Sequence, residues 1–377
     1  MGQSLTIKQH FRKLKDPRVE RRKQHLLLDI IVITLCAVIC GCNDWQQIVT
    51  FARCRQDWLK KFLRLPNGIP SHDTFERVFD RLDPLAFQAC FREWMLALHN
   101  ALGLSPIAID GKTLRHSGTG GKTALQLVSA WATANCLTLG QVAVSETSNE
   151  ITAIPKLLAL LELHGALVTI DAIGCQKEIA TQVIERGGDY VLTVKDNQEN
   201  LCNDIRSAFE RAADQQFVGV NHDSHTTEER GHGRNETRSY HIITDPEGIT
   251  SQADWKNLKV IGMCVSETER EGKISTEVRY FIGSRKAKAK VYGNALRGHW
   301  GIENTLHWQL DVSFAEDDNR VSKRQAAENM ALVRRLALSL LLQHPSKESI
   351  KCKRLHAALD PAFLQAVLLG DGNSGDV

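Results

Sequence analysis

Residues 166–195 read ALVTIDAIGCQKEIATQVIERGGDYVLTVK, and this stretch decides the fold. Ala166-Leu-Val-Thr-Ile170 is an almost wholly apolar run, short enough for a strand covered on both faces, and Asp171 follows it. Cys175 to Arg186 reads as a helix, stopped by Gly187-Gly188. Tyr190-Val-Leu-Thr-Val194 is a second buried strand, and Lys195 follows it. Strands joined through a helical crossover return in the same direction, so these two lie parallel.

Working outward, the upstream chain supplies more of the same sheet. Pro106-Ile-Ala-Ile-Asp110 reads as a short strand ending in a carboxylate. Leu125–Ala134 and Leu137–Val144 flank Asn135-Cys136 as the arms of a hairpin. Pro155–His164 is a short helix closed by Gly165. The order is strand, strand, strand, helix, strand, helix, strand, which is an α/β fold with a mixed sheet and flanking helices. Downstream, Leu201–Ala212 looks helical, and Val218–Val220, Glu236–Thr244, Leu258–Glu267 and Ser275–Ile282 look like strands. They predict a β-rich insertion over about 200–290. Helices follow near Asn294–Leu310 and over Gln325–Gln343, before Pro345. Residues 1–100 are mostly helical, in pieces such as Asp44–Leu63 and Asp73–Asn100. The expected organisation is a helical domain over 1–100, a mixed-sheet domain over 101–345, and a C-terminal tail over 346–377.

The 377 residues are 42% hydrophobic and 24% charged, which excludes collagen-like, disordered and membrane-dominated chains. The longest apolar run, Leu26–Cys42, is broken by Asp29 and Thr34 and falls short of a membrane span. It reads as a buried helix of a cytoplasmic protein that does not enter a membrane. The ten cysteines suggest no disulfide framework and read as reduced thiols. The net charge of +3 is uneven. Residues 1–25 hold eight Lys or Arg against two acids, so that end is +6 and the remainder −3. A basic arm suggests a polyanionic partner, and a solvated terminus is the alternative.

In an open α/β sheet, functional groups gather beyond the carboxyl ends of the strands. Parallel strands would bring Asp110, Asp171 and Lys195 to one edge, a set suited to a divalent metal that handles phosphate. The plainer alternative is that Asp110-Gly111 forms a turn and Asp171 caps a helix. Farther on stands Gly298-His-Trp-Gly-Ile-Glu-Asn304. On a helix, Ile302, Leu306 and Leu310 form an apolar stripe that Glu303 borders, which sets Glu303 where helix meets sheet. The alternative is an exposed helix carboxylate. Trp300 and Trp308 suit either base stacking or the core. His222, His225 and His232 lie in a polar loop that suits zinc, DNA or solvent. Gly118-x-Gly-Gly-Lys122 lacks the spacing of a phosphate loop.

Taken in order, these motifs resemble a known family. They are Asp110-Gly-Lys-Thr, Ser148-Asn-Glu-Ile-Thr-Ala-Ile-Pro155, Asp171-Ala, Lys195-Asp-Asn-Gln198, His299-Trp-x-Ile-Glu303-Asn and His307-Trp-x-Leu-Asp-Val-x-Phe-x-Glu-Asp317. Asp29-Ile-Ile, Cys36-Ala-Val-Ile and Gly68-Ile-Pro-Ser-His-Asp73 extend the likeness to the N-terminal region. The chain resembles the H-repeat-associated family of DDE-type insertion-sequence transposases over nearly its whole length. The resemblance implies a ribonuclease H-like core with Asp110, Asp171 and Glu303 as an acidic triad. It further implies Mg²⁺, with Mn²⁺ able to substitute, and double-stranded DNA as partner, both element ends and target. A homodimer on DNA is expected from the need to pair two ends. Lys112, Arg115 and Lys195 are candidates to hold phosphates. Related transposases carry a Tyr-x2-Arg-x3-Glu-x6-Lys box, whose positions here hold Leu296, His299, Glu303 and Leu310. The missing roles are open to Arg297, His299, Arg320 or Lys323, with Trp300 beside them. Glu316 or Asp317 is the reserve acid should Glu303 not serve.

Overall fold

The computed structural model describes residues 7–102, 106–117, 123–145, 147–231, 234–318, 321 and 323–369. Along the chain run α1 (Ile7–Phe11), α2 (Leu27–Ile39), α3 (Trp45–Cys54), α4 (Gln56–Leu59), α5 (His72–Phe79) and α6 (Pro84–Leu102). Next come β1 (Ile107–Leu114), β2 (Leu125–Ala132), β3 (Leu137–Ala143), α7 (Glu150–Leu160), β4 (Leu167–Ile170), α8 (Lys177–Glu185), β5 (Asp189–Val194) and α9 (Glu199–Asp214). The strands β6 (His222–Gly231), β7 (Arg234–Thr244), β8 (Val260–Arg270) and β9 (Lys273–Gly283) follow. The chain ends through α10 (Ala289–Gly301), a π-helical run over Ile302–His307, α11 (Trp308–Val312), α12 (Arg324–Gln343), α13 (Ile350–Leu359) and α14 (Pro361–Leu369).

Two compact units result. One is Leu104–Asp110 with Ser148–Gly301, and the other is Met1–Gly103, Gly111–Thr147 and Ile302–Val377. In the former the strand order is β1-β4-β5-β9-β8-β7-β6. β1, β4 and β5 are mutually parallel, with Ile109 opposite Ile170 and Ile170 opposite Leu192. Every later pairing is antiparallel. The β-rich insertion therefore extends the core sheet from β5 through β9. α10 packs on β4 to β7 at glycines. A Cβ on Gly283 would stand 2.5 Å from the Tyr292 ring, and one on Gly293 2.9 Å from the Tyr240 ring. That close approach builds a core of Tyr240, Ile242, Val260, Phe281, Tyr292 and Leu296.

In the other unit the order is β3-β2-β1, with β2 and β3 antiparallel. α12 packs on β2, β3, α2 and α6. Consequently the helices before residue 100 do not close a core of their own. The run read as a buried helix is α2, in which every residue from Asp29 to Ile39 is buried. Asp29 is tolerated there because it accepts the Leu65 N–H at 2.9 Å. Among the described residues no helix is long and apolar enough to cross a membrane. The chain is thus a mixed α/β protein with a mixed sheet, flanking helices and a β-rich insertion.

Several local expectations are corrected. β1 does not end at Asp110 but continues to Leu114, because Lys112 and Leu114 are buried in turn. Val218–Val220 is a turn, with Gln216, Phe217 and Gly219 all at positive φ. His222–Gly231 is the strand β6, not a loop, and His232 lies outside the described residues, as does Gly118–Lys122. Asp73–Asn100 is two helices. Pro84 starts the second, the residue before a proline is driven out of helical geometry, and Asp83 accepts the Leu85 N–H at 3.0 Å. The expected tail, 346–377, holds α13 and α14, with Phe363 and Leu364 buried. The basic segment is folded where described. Phe11 packs on Phe87 and Trp94, Arg18 forks onto Asp16, and Lys23 pairs with Glu20.

Candidate active site

The β1–β4 register fixes the first pair. Ile107, Ala108 and Ile109 stand opposite Val168, Thr169 and Ile170, so Asp110 and Asp171 occupy the next positions on neighbouring parallel strands. Both are half-buried. Asp171 also does the turn work that its position after a strand suggests, accepting the Gly174 N–H at 3.3 Å. Gly174 cannot be larger, because a Cβ there would lie 2.3 Å from Ile170 Cγ2. Asp110 within β1 and Asp171 just past the end of β4 are neighbouring carboxylates, hard oxygen donors that suit a hard divalent cation. Among the described residues no group of three or more His, Cys, Asp or Glu stands as a metal site.

The Lys195-Asp-Asn-Gln198 motif proves partly structural. Asn197 Nδ2 donates to the Ala172 carbonyl at 2.7 Å, and Gln198 Nε2 donates to the Cys175 carbonyl at 2.9 Å. The two amides stitch the loop that follows Asp171, a role the sequence signalled only through their place in the motif. Lys195 itself is exposed, just past the end of β5.

α10 does not supply the cations expected of it. His299 is buried, with Nδ1 3.0 Å from Thr169 Oγ1. Burial pulls its pKa down to about 4, against the opposing pull of the Asp171 charge. It is neutral near pH 7 and holds no phosphate by charge. Arg297 is engaged with Glu229, its Nε 2.9 Å from Oε1. Burial would raise the Glu229 pKa, but Arg297 and Arg238 outweigh it and hold the carboxylate low. Trp300 carries the guanidiniums of Arg279 at 4.5 Å and Arg238 at 5.3 Å from its ring centre. Cation–π contact thus already occupies the ring.

In the other unit, Glu303 sits in the π-helical run and is exposed, while Ile302, Leu306 and Leu310 are buried as the stripe predicts. Of the two readings of Glu303, the exposed helix carboxylate is the one found. π-Helical turns frequently mark functional sites. Lys112 is buried, with Nζ 2.6 Å from Asp311 and 3.7 Å from Asp317. Burial raises the Asp311 pKa, opposed by Lys112. Arg115 is exposed, with Nε 3.5 Å from Asp317. Lys323 is exposed and 3.0 Å from Asp80, whose hydrogen bond raises the lysine pKa. Glu316 is no reserve acid. It is fully buried and bonded to Arg335 at 2.9 Å. Trp308 is 53% exposed rather than core. Arg320 lies outside the described residues.

Residues 102–340 match the family described as "Transposase DDE domain", and residues 8–95 match its companion, "DDE_Tnp_1-associated". This chain belongs to the DDE transposase family. It is a DNA transposase, an enzyme of DNA cleavage and transfer, in a family that works with a divalent metal. The transposase is 41% identical to "Putative transposase YncI" of Escherichia coli O157:H7, over 94% of this chain and 92% of that one. It is 38% identical to "H repeat-associated putative transposase YhhI" of E. coli K12, over 98% and 99%. A cryo-EM structure of the piggyBac transposase synaptic complex with hairpin DNA aligns over 98% of this chain and 80% of its own, at TM-score 0.37 and 10% identity.

Proposed function

We propose that the transposase cuts DNA at the ends of its own insertion element and joins the freed 3′ ends to target DNA. Two copies act together on DNA, in the cytoplasm, where unpaired thiols such as its ten cysteines persist. Asp110 and Asp171 hold the divalent metal, Mg²⁺ or Mn²⁺ in its place, and Glu303 is the third acid by family resemblance. The metal, when bound, stabilises charge on the oxygens exchanged at phosphorus. Lys195 holds a phosphate by charge, and Arg115 does the same from its exposed position. Residues 1–100, with their basic first 25, contribute DNA affinity. The observation that carries this reading is the parallel register of β1 and β4, which brings Asp110, within β1, beside Asp171, just past the end of β4.

The test is cleavage and joining on DNA from the element ends, with Mg²⁺ and with EDTA. Asp110→Asn, Asp171→Asn and Glu303→Gln should each reduce cleavage by at least about a thousandfold, without adding to one another. DNA binding and the melting temperature should stay near the parent's. Cleavage surviving in Glu303→Gln would remove Glu303 from the site. Cutting without joining would make the protein a nuclease, and binding without either would make it a DNA-binding protein.

A further inference from the structure

A cavity of about 360 Å³ opens between residues 18–25 and α5, lined by Arg18, Gln24, His25, Thr74, Arg77 and Arg81 together with Val19. Thr74, Arg77 and Arg81 stand at three- and four-residue spacing, on one side of α5 and the turn after it. Among the described residues, three arginines and no acidic residue line the cavity. Arg18 is neutralised by Asp16 at 2.8 Å and is held in place by donating to the His25 carbonyl. Among the described residues Arg77 pairs only with Asp73, at 3.7 Å, and its side chain is 68% exposed. Arg81 is exposed, with no ion pair among the described residues. The buried Nδ1 of His25 has no hydrogen-bond partner among them either. The cavity therefore presents a fixed arginine, two available ones, a hydroxyl and an amide, a donor-rich set matched to a phosphate.

We propose that this cavity seats a phosphate group, presented by the DNA backbone. The inference rests on the DNA-binding reading of residues 1–100. It moves the contact from a free basic arm, whose Arg18 and Lys23 are already paired, to a pocket shared with α5.

The experiment titrates the full-length protein with an element-end duplex and an unrelated duplex at several salt concentrations. One phosphate contact contributes about 0.9 to the log–log salt slope. Arg77→Gln/Arg81→Gln should lower the slope by about 0.9 and weaken both duplexes alike. Arg77→Lys/Arg81→Lys should keep the parent slope, since each lysine still supplies a point charge. An unchanged slope in the folded Gln variant would overturn the pocket while leaving the DNA-binding reading intact. A parent that binds neither duplex would overturn both. Thermal stabilisation by inorganic phosphate at constant ionic strength, lost in the Gln variant whose DNA slope is unchanged, would assign the pocket to a free anion and overturn DNA as its occupant. Should the double variant melt early, Arg81→Gln alone carries the same test.

Discussion

The strands β4 and β6 belong to one unit and one run of neighbours, yet they are held by different means. All four residues of β4 are buried, while none of the ten in β6 is. β4 is specified by its own side chains, which cover both faces. β6 closes the sheet and is specified by a single row of main-chain bonds to β7. Its end carries Glu228, Glu229 and Arg230, charges that discourage a further strand from pairing there. Burial stabilises one strand and main-chain hydrogen bonding the other, so the two should fail under different substitutions.

The largest expected effect is in β4. Ile170→Ala removes a fully buried side chain beside the Asp171 loop and should cost about 3 kcal/mol in urea denaturation. A loss under about 1 kcal/mol would contradict burial as the source of β4 stability. In β6, Thr226→Ala should stay within about 0.5 kcal/mol.

A matched pair of glycines sharpens the contrast. Gly174→Ala drives a Cβ into Ile170 Cγ2 and, at 2.9 Å, into Ile154 Cδ1. It should cost about 2 kcal/mol and lower cleavage by displacing the loop after Asp171. Gly231→Ala at the end of β6 meets nothing within 4 Å and should leave the denaturation midpoint unchanged.

Proline breaks β6 where alanine does not. On an edge strand only every second N–H faces the neighbouring strand. A proline scan of Thr226–Glu229 should therefore alternate, with about 1 kcal/mol lost at positions that donate to β7 and little between. Hydrogen exchange of the β7 amides reads the same alternation.

The smallest effect is a pH dependence. His222 and His241 stand 3.2 Å apart across β6 and β7. Burial lowers both pKa values, and the His241 charge lowers His222 further against Asp223. The unfolded chain protonates these rings first, near pH 6.5. Their contribution is therefore full above that pH and declines as pH falls toward the lowered folded values. The decline between pH 7.5 and 5 in the parent should shrink in His222→Gln/His241→Gln, as read by urea midpoints.

Legibility followed the same divide. The buried strands β4 and β5 announced themselves, and the crossover rule made them parallel. That rule alone pairs Asp110 with Asp171. The β6 segment reads as a loop because it holds no apolar residue and so leaves no alternation. His299 and Arg297 read as available cations, since a helical wheel shows neither which polar residue a sheet covers nor which one a distant carboxylate meets.

What the sequence determined by itself is what depends on neighbours a few residues away: strand and helix periodicity, the turn after Asp171, and the stripe of Ile302, Leu306 and Leu310. The fate of the charges was decided only by tertiary structure. Lys112 meets Asp311 across 199 residues and Arg297 meets Glu229 across 68. A cation is available to DNA only where no carboxylate has been folded against it. Which carboxylate that will be depends on distant packing, because Coulomb attraction depends on separation in space and leaves no periodic trace along the chain.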